Sequence, residues 1–409
     1  MPPEIINWLQ DVSQHLRVAQ QRRALRRPGR GCDYMGDPFK DLGQRVVAPL
    51  HPARMRLRVS VIVQETPSTK TFRFARVDGP LPPFRAGQYV NLFVDVDGVL
   101  TSRPYSISSA PGSATLDLTI RDNPGGFVAP YLLHEARVGA EFESTGPAGS
   151  FYHEPLIDGS DLVFLAGGSG ITPFMSMIRQ TLAAAPPSPS TGSGQAMRGK
   201  GVGGIGRIHL LYGSRTPDDV IFDDELIGLA AQHDRLEYDL VISEPPPRYR
   251  GLTGFLDAGR IRSQVGDVAG KTFYVCGPGV MYDFCQKALA ELGAPAHKIR
   301  RELFGPPADV TRSPGWPAGL SADAKFRVEV AGRQTIEARA GEPLMNSLER
   351  HGIVLPAICR AGACSACRTR LLAGRVFAPT QVGLRESDRE HGYIHPCMSY
   401  PMEDLKIRV

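Results

Sequence analysis

Four cysteines near the C-terminus carry the most specific chemistry in the chain: Cys359, Cys364, Cys367 and, 30 residues further on, Cys397. The pattern C-x4-C-x2-C followed by a distant fourth Cys is the plant-type spacing for a [2Fe–2S] cluster, a centre that moves one electron at a time. Three thiolates within nine residues can wrap one centre only if the backbone folds back sharply. The small residues Ala361, Gly362, Ala363, Ser365 and Ala366 allow this. Backbone N–H groups in such a loop can point at the sulfurs and stabilise the added electron. A zinc site would show paired C-x2-C knuckles, and here there is one such pair. Seven cysteines, an odd number, and no apolar leader argue against a disulfide framework.

A second constellation is Ser102-Arg-Pro-Tyr-Ser-Ile-Ser-Ser-Ala-Pro111. Read as a strand, it presents alternate side chains to one ligand. Arg103 can pair with a phosphate, Tyr105 can pack against an isoalloxazine ring or ribityl chain, and Ser106 can hydrogen-bond a flavin ring edge. Downstream, Gly125-Gly126 opens a short helix whose free N–H groups suit a pyrophosphate. Gly146-Pro-Ala-Gly-Ser-Phe151 is then a tight turn.

The third constellation is Asp161-Leu-Val-Phe-Leu-Ala-Gly-Gly-Ser-Gly-Ile-Thr-Pro-Phe174, a buried strand, a glycine turn and a helix start, with the helix expected to run to about Ala185. A glycine turn at a helix N-terminus is built to hold a dinucleotide pyrophosphate. Gly201-Val-Gly-Gly-Ile-Gly206 matches G-x-G-x-x-G literally, but it follows a Pro/Ser/Gly-rich run and precedes a strand, so the required strand–turn–helix context is absent. Residues 186–206 read as a flexible insertion.

The elements that must position these groups follow from periodicity. Short alternating runs at 56–63, 71–75, 89–94 and 116–120 suggest a β-barrel. Strand-like runs at 208–212, 236–243 and 272–276 alternate with helical stretches near 219–232 and 279–292, which gives a parallel α/β sheet. A hairpin at 325–331 and 335–339, then a short helix within 341–356, leads into the cysteine loop. Residues 306–324 form a Pro-rich, semi-rigid linker. At the other end, Ile5, Leu9, Val12, Leu16 and Ala19 share one stripe of an amphipathic helix. Six Arg lie between 17 and 30. Packing on the body of the protein is the favoured reading of that helix over contact with an anionic membrane through 1–30.

Composition fits a multidomain globular protein of 409 residues, with 42% hydrophobic and 22% charged residues. No apolar run approaches a membrane span. With the thiols needed in reduced form, a cytoplasmic setting is expected. The net charge of +5 is mild, and 325–409 holds 13 Lys and Arg against 9 Asp and Glu. An acidic redox partner is therefore conceivable. No aromatic-interleaved basic stripe speaks for nucleic acid.

R-P-Y-S, then G-G, then G-P-x-G-x-F, followed by the glycine turn, Tyr212-Gly-Ser-Arg-Thr216, Cys276-Gly-Pro278, Arg301-Glu-Leu-Phe304 and the cysteine loop, resembles the ferredoxin–NADP reductase superfamily in its three-module oxygenase-reductase layout. The resemblance covers about 54–409. It leaves the N-terminal helical extension over 1–53 outside the family pattern and implies a flavin-binding β-barrel over 54–155. A NAD(P)-binding α/β domain over 156–305, the linker 306–324 and a β-grasp, α+β ferredoxin domain over 325–409 complete the division.

Flavin contacts are implied for Arg103, Pro104, Tyr105, Ser106, Ile120, Arg121, Gly125, Gly126, Phe127 and Val128. Nucleotide contacts are implied for Gly168, Ser169, Gly170, Thr172, Ser214, Arg215, Cys276, Gly277 and Pro278. Thr172 and Cys276 would shape the nicotinamide pocket, with Glu302 and Phe304 near the flavin face. The flavin is FAD, with FMN as the alternative because Ala129 stands where many members carry Ser or Thr. Ser214 and Arg215 could hold a 2′-phosphate, which leaves NADH and NADPH both open as donor. The implied path runs from NAD(P)H through flavin and cluster to a terminal oxygenase or another redox protein, such as a hybrid-cluster protein or a cytochrome. A non-catalytic electron-transfer subunit is the remaining alternative.

Overall fold

The computed structural model describes residues 54–409, except 124–125, 184–203, 304, 308 and 380–382, together with Leu16. The expected extension over 1–53, Gly125, Phe304 and most of the expected insertion therefore lie outside the described residues. Among the described residues no helix is long and apolar enough to cross a membrane.

The first body is antiparallel. Its strands are β1 (Met55–Thr66), β2 (Thr69–Arg76), β3 (Tyr89–Val96), β4 (Val99–Ser106), β5 (Leu116–Arg121) and, after helix α1 (Val128–Glu135), β6 (Glu141–Ser144). They lie in the order β4-β3-β6-β1-β2-β5. The sheet curls until a bridge between Ile107 and Leu118 joins its two edges. The period-two reading of β1 is visible directly: Met55, Leu57 and Val59 are buried, whereas Arg56, Arg58 and Ser60 face water. The inward set meets Phe72, Phe74, Val90, Leu92 and Leu118 in one core. Outside, Arg56 and Arg58 both grip Glu141, at 2.6 and 2.7 Å.

The second body alternates strand and helix: β7 (Asp161–Gly167), α2 (Ile171–Ala183), β8 (Arg207–Ser214), α3 (Asp223–Gln232), β9 (Leu236–Ile242), β10 (Leu252–Thr253), α4 (Ala258–Val265), β11 (Thr272–Cys276), α5 (Gly279–Glu291) and β12 (Ile299–Glu302). The order is β10-β9-β8-β7-β11-β12, and every pairing is parallel. β7 is apolar on both faces because helices cover both. Phe164 and Ala166 pack with Phe174 and Leu226, while Val163 and Leu165 pack with Ile261 and Leu289. The end of the expected insertion is not loose. Ile205 is buried in the first of these cores, and the Gly206 N–H donates to Ser160 O at 2.8 Å. One large apolar side chain anchors a stretch whose glycine content alone suggests flexibility.

The third body comprises β13 (Lys325–Val330), β14 (Thr335–Arg339), α6 (Leu344–Arg350), β15 (Thr369–Ala373), β16 (Val376–Phe377), α7 (Glu386–Glu390), β17 (Tyr393–Ile394), β18 (Tyr400–Pro401) and β19 (Leu405–Arg408). Its main sheet runs β14-β13-β19-β15-β17, with β13 and β19 parallel. Leu344, Met345 and Leu348 of α6 pack on Val328 and Ile407, as in a β-grasp. The Pro-rich linker, expected to be semi-rigid, is also anchored by side chains. The Trp316 ring lies 5.3 Å from Phe377 and 6.3 Å from Tyr400, and Val310 joins the same cluster. An aromatic anchor outweighs the proline content here and fastens the linker to the third body.

Candidate functional site

The cysteine loop follows α6. The backbone turns through left-handed conformations at Arg360 (φ 51°), Gly362 (φ 75°) and Ser365 (φ 57°), two of them non-glycine and therefore held by their surroundings. The turn aims N–H groups at sulfur. Ala361, Ala363 and Cys364 donate to Cys359 Sγ at 3.4, 3.3 and 3.3 Å, and Ala366 donates to Cys364 Sγ at 3.5 Å. Cys367 Sγ lies 3.4 Å from Cys397 Sγ. Within each pair one thiol hydrogen-bonds the other, which draws Cys364 and Cys367 below the usual thiol range. The four cysteines thus form two pairs, Cys359 with Cys364 and Cys367 with Cys397. Among the described residues no three His, Cys, Asp or Glu side chains converge on one point. Two pairs of soft donors fit a cluster of two irons, and the surrounding N–H groups fit its sulfurs.

β4 carries Arg103, Pro104, Tyr105 and Ser106. Arg103 donates to Thr101 Oγ1 at 2.7 Å and to Ser102 O at 2.8 Å. Burial, with the Arg360 charge second, brings its guanidinium down to about 10. Burial pushes the Tyr105 phenol up. Arg103 and Arg360 together outnumber the one carboxylate beside them, Glu349, and a half-buried cation in surplus fits an anionic group such as a flavin phosphate. Gly126 and Phe127 precede α1, and Phe127 stands half exposed at its N-terminus. Ile120 and Val128, by contrast, are fully buried in the barrel core, so only their backbones can meet a ligand.

The glycine turn Gly168–Gly170 sits between β7 and α2. Gly168 has φ +52°, and a Cβ there would stand 2.7 Å from Arg121 Nη1 of the barrel. A Cβ on Gly170 would meet Cys276 O at 2.2 Å. The bare turn therefore lets three segments converge: Arg121, the turn itself, and the end of β11 with Cys276, Gly277 and Pro278. Arg121 also pairs with Asp219, and Ser68 donates to the same carboxylate at 2.8 Å. Thr172 donates to Ser169 O at 3.0 Å, which fixes the turn.

At the end of β12, Ser106 Oγ donates to Glu302 Oε2 at 3.2 Å. Burial pushes this carboxyl up to about 8, so it is mostly a neutral acid at pH 7. The Cys276 thiol is fully buried and pushed well up, first by burial and then by the Glu302 charge. Ser214 and Arg215 lie at the end of β8. Ser214 donates to Thr216 O at 3.2 Å, and exposed Arg215 lies 3.7 Å from Glu244.

Two tyrosines belong to the site without a sequence signal. Tyr282 of α5 accepts from the Gly277 N–H at 3.2 Å and donates to Glu302 O, tying the two strand ends together. Tyr89 of β3 is raised by burial and then by the charges of Cys359, Cys364 and Glu302. Their aromatic type reads as core, and only the fold shows their neighbours.

Three family models match in chain order: an oxidoreductase FAD-binding domain over 56–153, an oxidoreductase NAD-binding domain over 164–287 and a 2Fe-2S iron-sulfur cluster binding domain over 328–402. The ferredoxin reductase component of a 3-ketosteroid-9-alpha-monooxygenase from Mycobacterium tuberculosis is 30% identical over 373 residues, 87% of this chain and 96% of that protein. A glycine betaine monooxygenase reductase subunit from Pseudomonas aeruginosa is 28% identical over 87% of this chain and 95% of its own. An NADH oxidoreductase of Escherichia coli is 29% identical over 87% and 98%. Among solved structures, phthalate dioxygenase reductase matches in fold with a TM-score of 0.63 at 20% identity, covering 87% of this chain and 98% of that one. The chain belongs to the three-module branch of the ferredoxin–NADP reductase superfamily, with FAD, NAD(P) and [2Fe–2S] domains in that order.

Proposed function

We propose that this NAD(P)H-dependent oxidoreductase of the three-module family supplies single electrons to the separate terminal component of an oxygenase. The observation that carries the reading is the seating of the cysteine loop on β4. Glu349 and Arg360 of the ferredoxin body touch Thr101 on the strand that also bears Arg103, Tyr105 and Ser106. The relatives named as monooxygenase reductase components support the choice of acceptor. When bound, FAD accepts a hydride and the cluster passes electrons on one at a time.

The chain's own residues do the rest. Arg103 and the N–H groups at Gly125, Gly126 and the start of α1 hold the flavin phosphates. Pro104, Tyr105 and Ser106 bound the ring. Gly168, Ser169 and Gly170 receive the pyrophosphate of NAD(P)H, and Arg121 supplies the countercharge. Thr172, Cys276, Gly277 and Pro278 shape the nicotinamide pocket, with Tyr282 fixing the strand ends. Glu302 holds a proton at its carboxyl beside Ser106, and Phe304 follows it in sequence. Cys359, Cys364, Cys367 and Cys397 ligate the cluster. The working division is 54–155 for the flavin domain, 156–305 for the nucleotide domain and 325–409 for the ferredoxin domain.

A second reading places the electrons on a different metalloprotein; the relative named for NADH oxidation alone, without an oxygenase, favours it. The test is reconstitution of the holoprotein with a candidate terminal oxygenase and its substrate. The proposal expects NAD(P)H consumption coupled to product formation only when both proteins are present. Rapid reduction of cytochrome or hybrid-cluster acceptors, with no coupling to any oxygenase, would favour the second reading.

A further inference from the structure

A buried polar network joins the flavin strand to the cysteine loop, and two of its barrel members, Asn91 and Thr101, lie outside the cofactor motifs. Thr101 and Asn91 are 1% and 0% exposed, and Glu349 and Arg360 are 3% and 5% exposed. The Thr101 hydroxyl donates to Glu349 Oε2 at 2.9 Å and accepts from Arg103 at 2.7 Å and from Arg360 at 3.3 Å. Arg360 closes on both oxygens of Glu349 and reaches Ser102 Oγ at 3.4 Å. Asn91 Nδ2 donates to Ser102 Oγ at 2.9 Å and, across the junction, to Ala357 O at 2.6 Å. The Arg360–Glu349 pair lies within the ferredoxin body, so the pair alone would not fix where that body sits. Its outward face does so, because Thr101 completes the coordination of Glu349 and Asn91 satisfies the backbone two residues before Cys359.

We propose that Thr101 and Asn91 are positioning residues: with Glu349 and Arg360 they form a clasp that seats the cluster loop on the flavin strand and sets the flavin-to-cluster step. The chemistry favours a single seating. Three charges meet at the junction, buried Glu349 and Arg360 and partly exposed Arg103, 3.9 Å from Glu349, and a displaced loop would leave Glu349 short of a partner. A hydrogen bond to a buried charge is worth enough to change an equilibrium about tenfold or more. The inference rests on the proposed electron path.

The test uses holoprotein with Thr101→Val, which keeps the shape and removes the hydroxyl, and Thr101→Ser, which restores it. Amide hydrogen exchange reads the seating, and anaerobic stopped-flow mixing with NADH or NADPH reads flavin bleaching and cluster reduction separately. Thr101→Val is expected to speed exchange at Ala357–Ala361 about tenfold and to slow cluster reduction by a similar factor. Flavin bleaching and the cluster spectrum should stay at wild-type values, and Thr101→Ser should return both affected rates to within about twofold of wild type. Wild-type exchange and wild-type cluster reduction in Thr101→Val would overturn the clasp, as would equal slowing of flavin bleaching. Failure of wild-type cluster reduction with either nucleotide would instead overturn the electron path itself.

Discussion

Replacing Glu302 by Gln isolates one carboxyl whose protonation the fold controls. Burial pushes Glu302 from 4.5 up to about 8, so at pH 7 neutral carboxyls outnumber charged ones about ten to one. Ser106 Oγ donates to Glu302 Oε2 at 3.2 Å, which opposes the effect of burial without cancelling it. If the neutral acid is the working form, the rate of flavin bleaching by NAD(P)H is level below pH 8 and falls about tenfold per pH unit above it. Glu302→Gln keeps a neutral polar group of the same shape and removes the titration, so its profile is flat from pH 6 to 9.5.

Stability carries the same signature. The folded carboxyl keeps its proton where the unfolded one has released it. Unfolding therefore becomes easier as pH rises from 4.5 to about 8 and levels off above that. The full effect is at most roughly 5 kcal/mol. The Tm of the wild-type holoprotein should drop more between pH 5 and 8 than that of Glu302→Gln. Identical pH profiles for the two proteins, in rate and in Tm, would refute the reasoning.

Other perturbations separate the parts of the site. Cys397→Ser removes the partner of Cys367; the visible cluster bands should vanish while ferricyanide reduction through the flavin stays within about twofold. Arg121→Ala removes the cation over the glycine turn. It should raise KM for NAD(P)H about tenfold with little change in kcat, the pattern of lost uniform binding, and an unchanged KM would take Arg121 out of the nucleotide site. Trp316→Ala opens a gap against Phe377 and Tyr400. A loss of about 2 kcal/mol should lower the midpoint of thermal cluster bleaching by about 10 °C, and no shift would mean that the linker does not brace the ferredoxin body.

What was legible in the sequence was local. β1 declares itself by strict alternation, β7 by a short apolar run ending in glycines, and the cluster by four cysteines whose spacing admits few other uses. The helix at 258–265 gives no clear signal in the sequence because its mean polarity hides Ile261 and Val265, which are buried four residues apart. Ile205 departs from the flexible insertion its neighbours suggest because composition averages over the one side chain that anchors it, and the same averaging hides the Trp316 anchor of the linker. The junction could not be read at all. Thr101 meets Glu349 across 248 residues and Asn91 meets Ala357 across 266, and nothing in the local pattern of a threonine or an asparagine announces such a partner. Tyr89 and Tyr282 fail for the same reason, since an aromatic residue in a strand or helix reads as core until its neighbours are known.

The central claim is that one chain carries electrons from a nicotinamide through its flavin to its cluster. The direct measurement is anaerobic mixing of the holoprotein with NADH, and separately with NADPH, while the visible spectrum is recorded through time. The account predicts that the flavin band bleaches first and the cluster bands follow within the same molecule, at a rate independent of protein concentration. Bleached flavin beside a cluster that stays oxidised, or reduction only at a rate that scales with protein concentration, would contradict it.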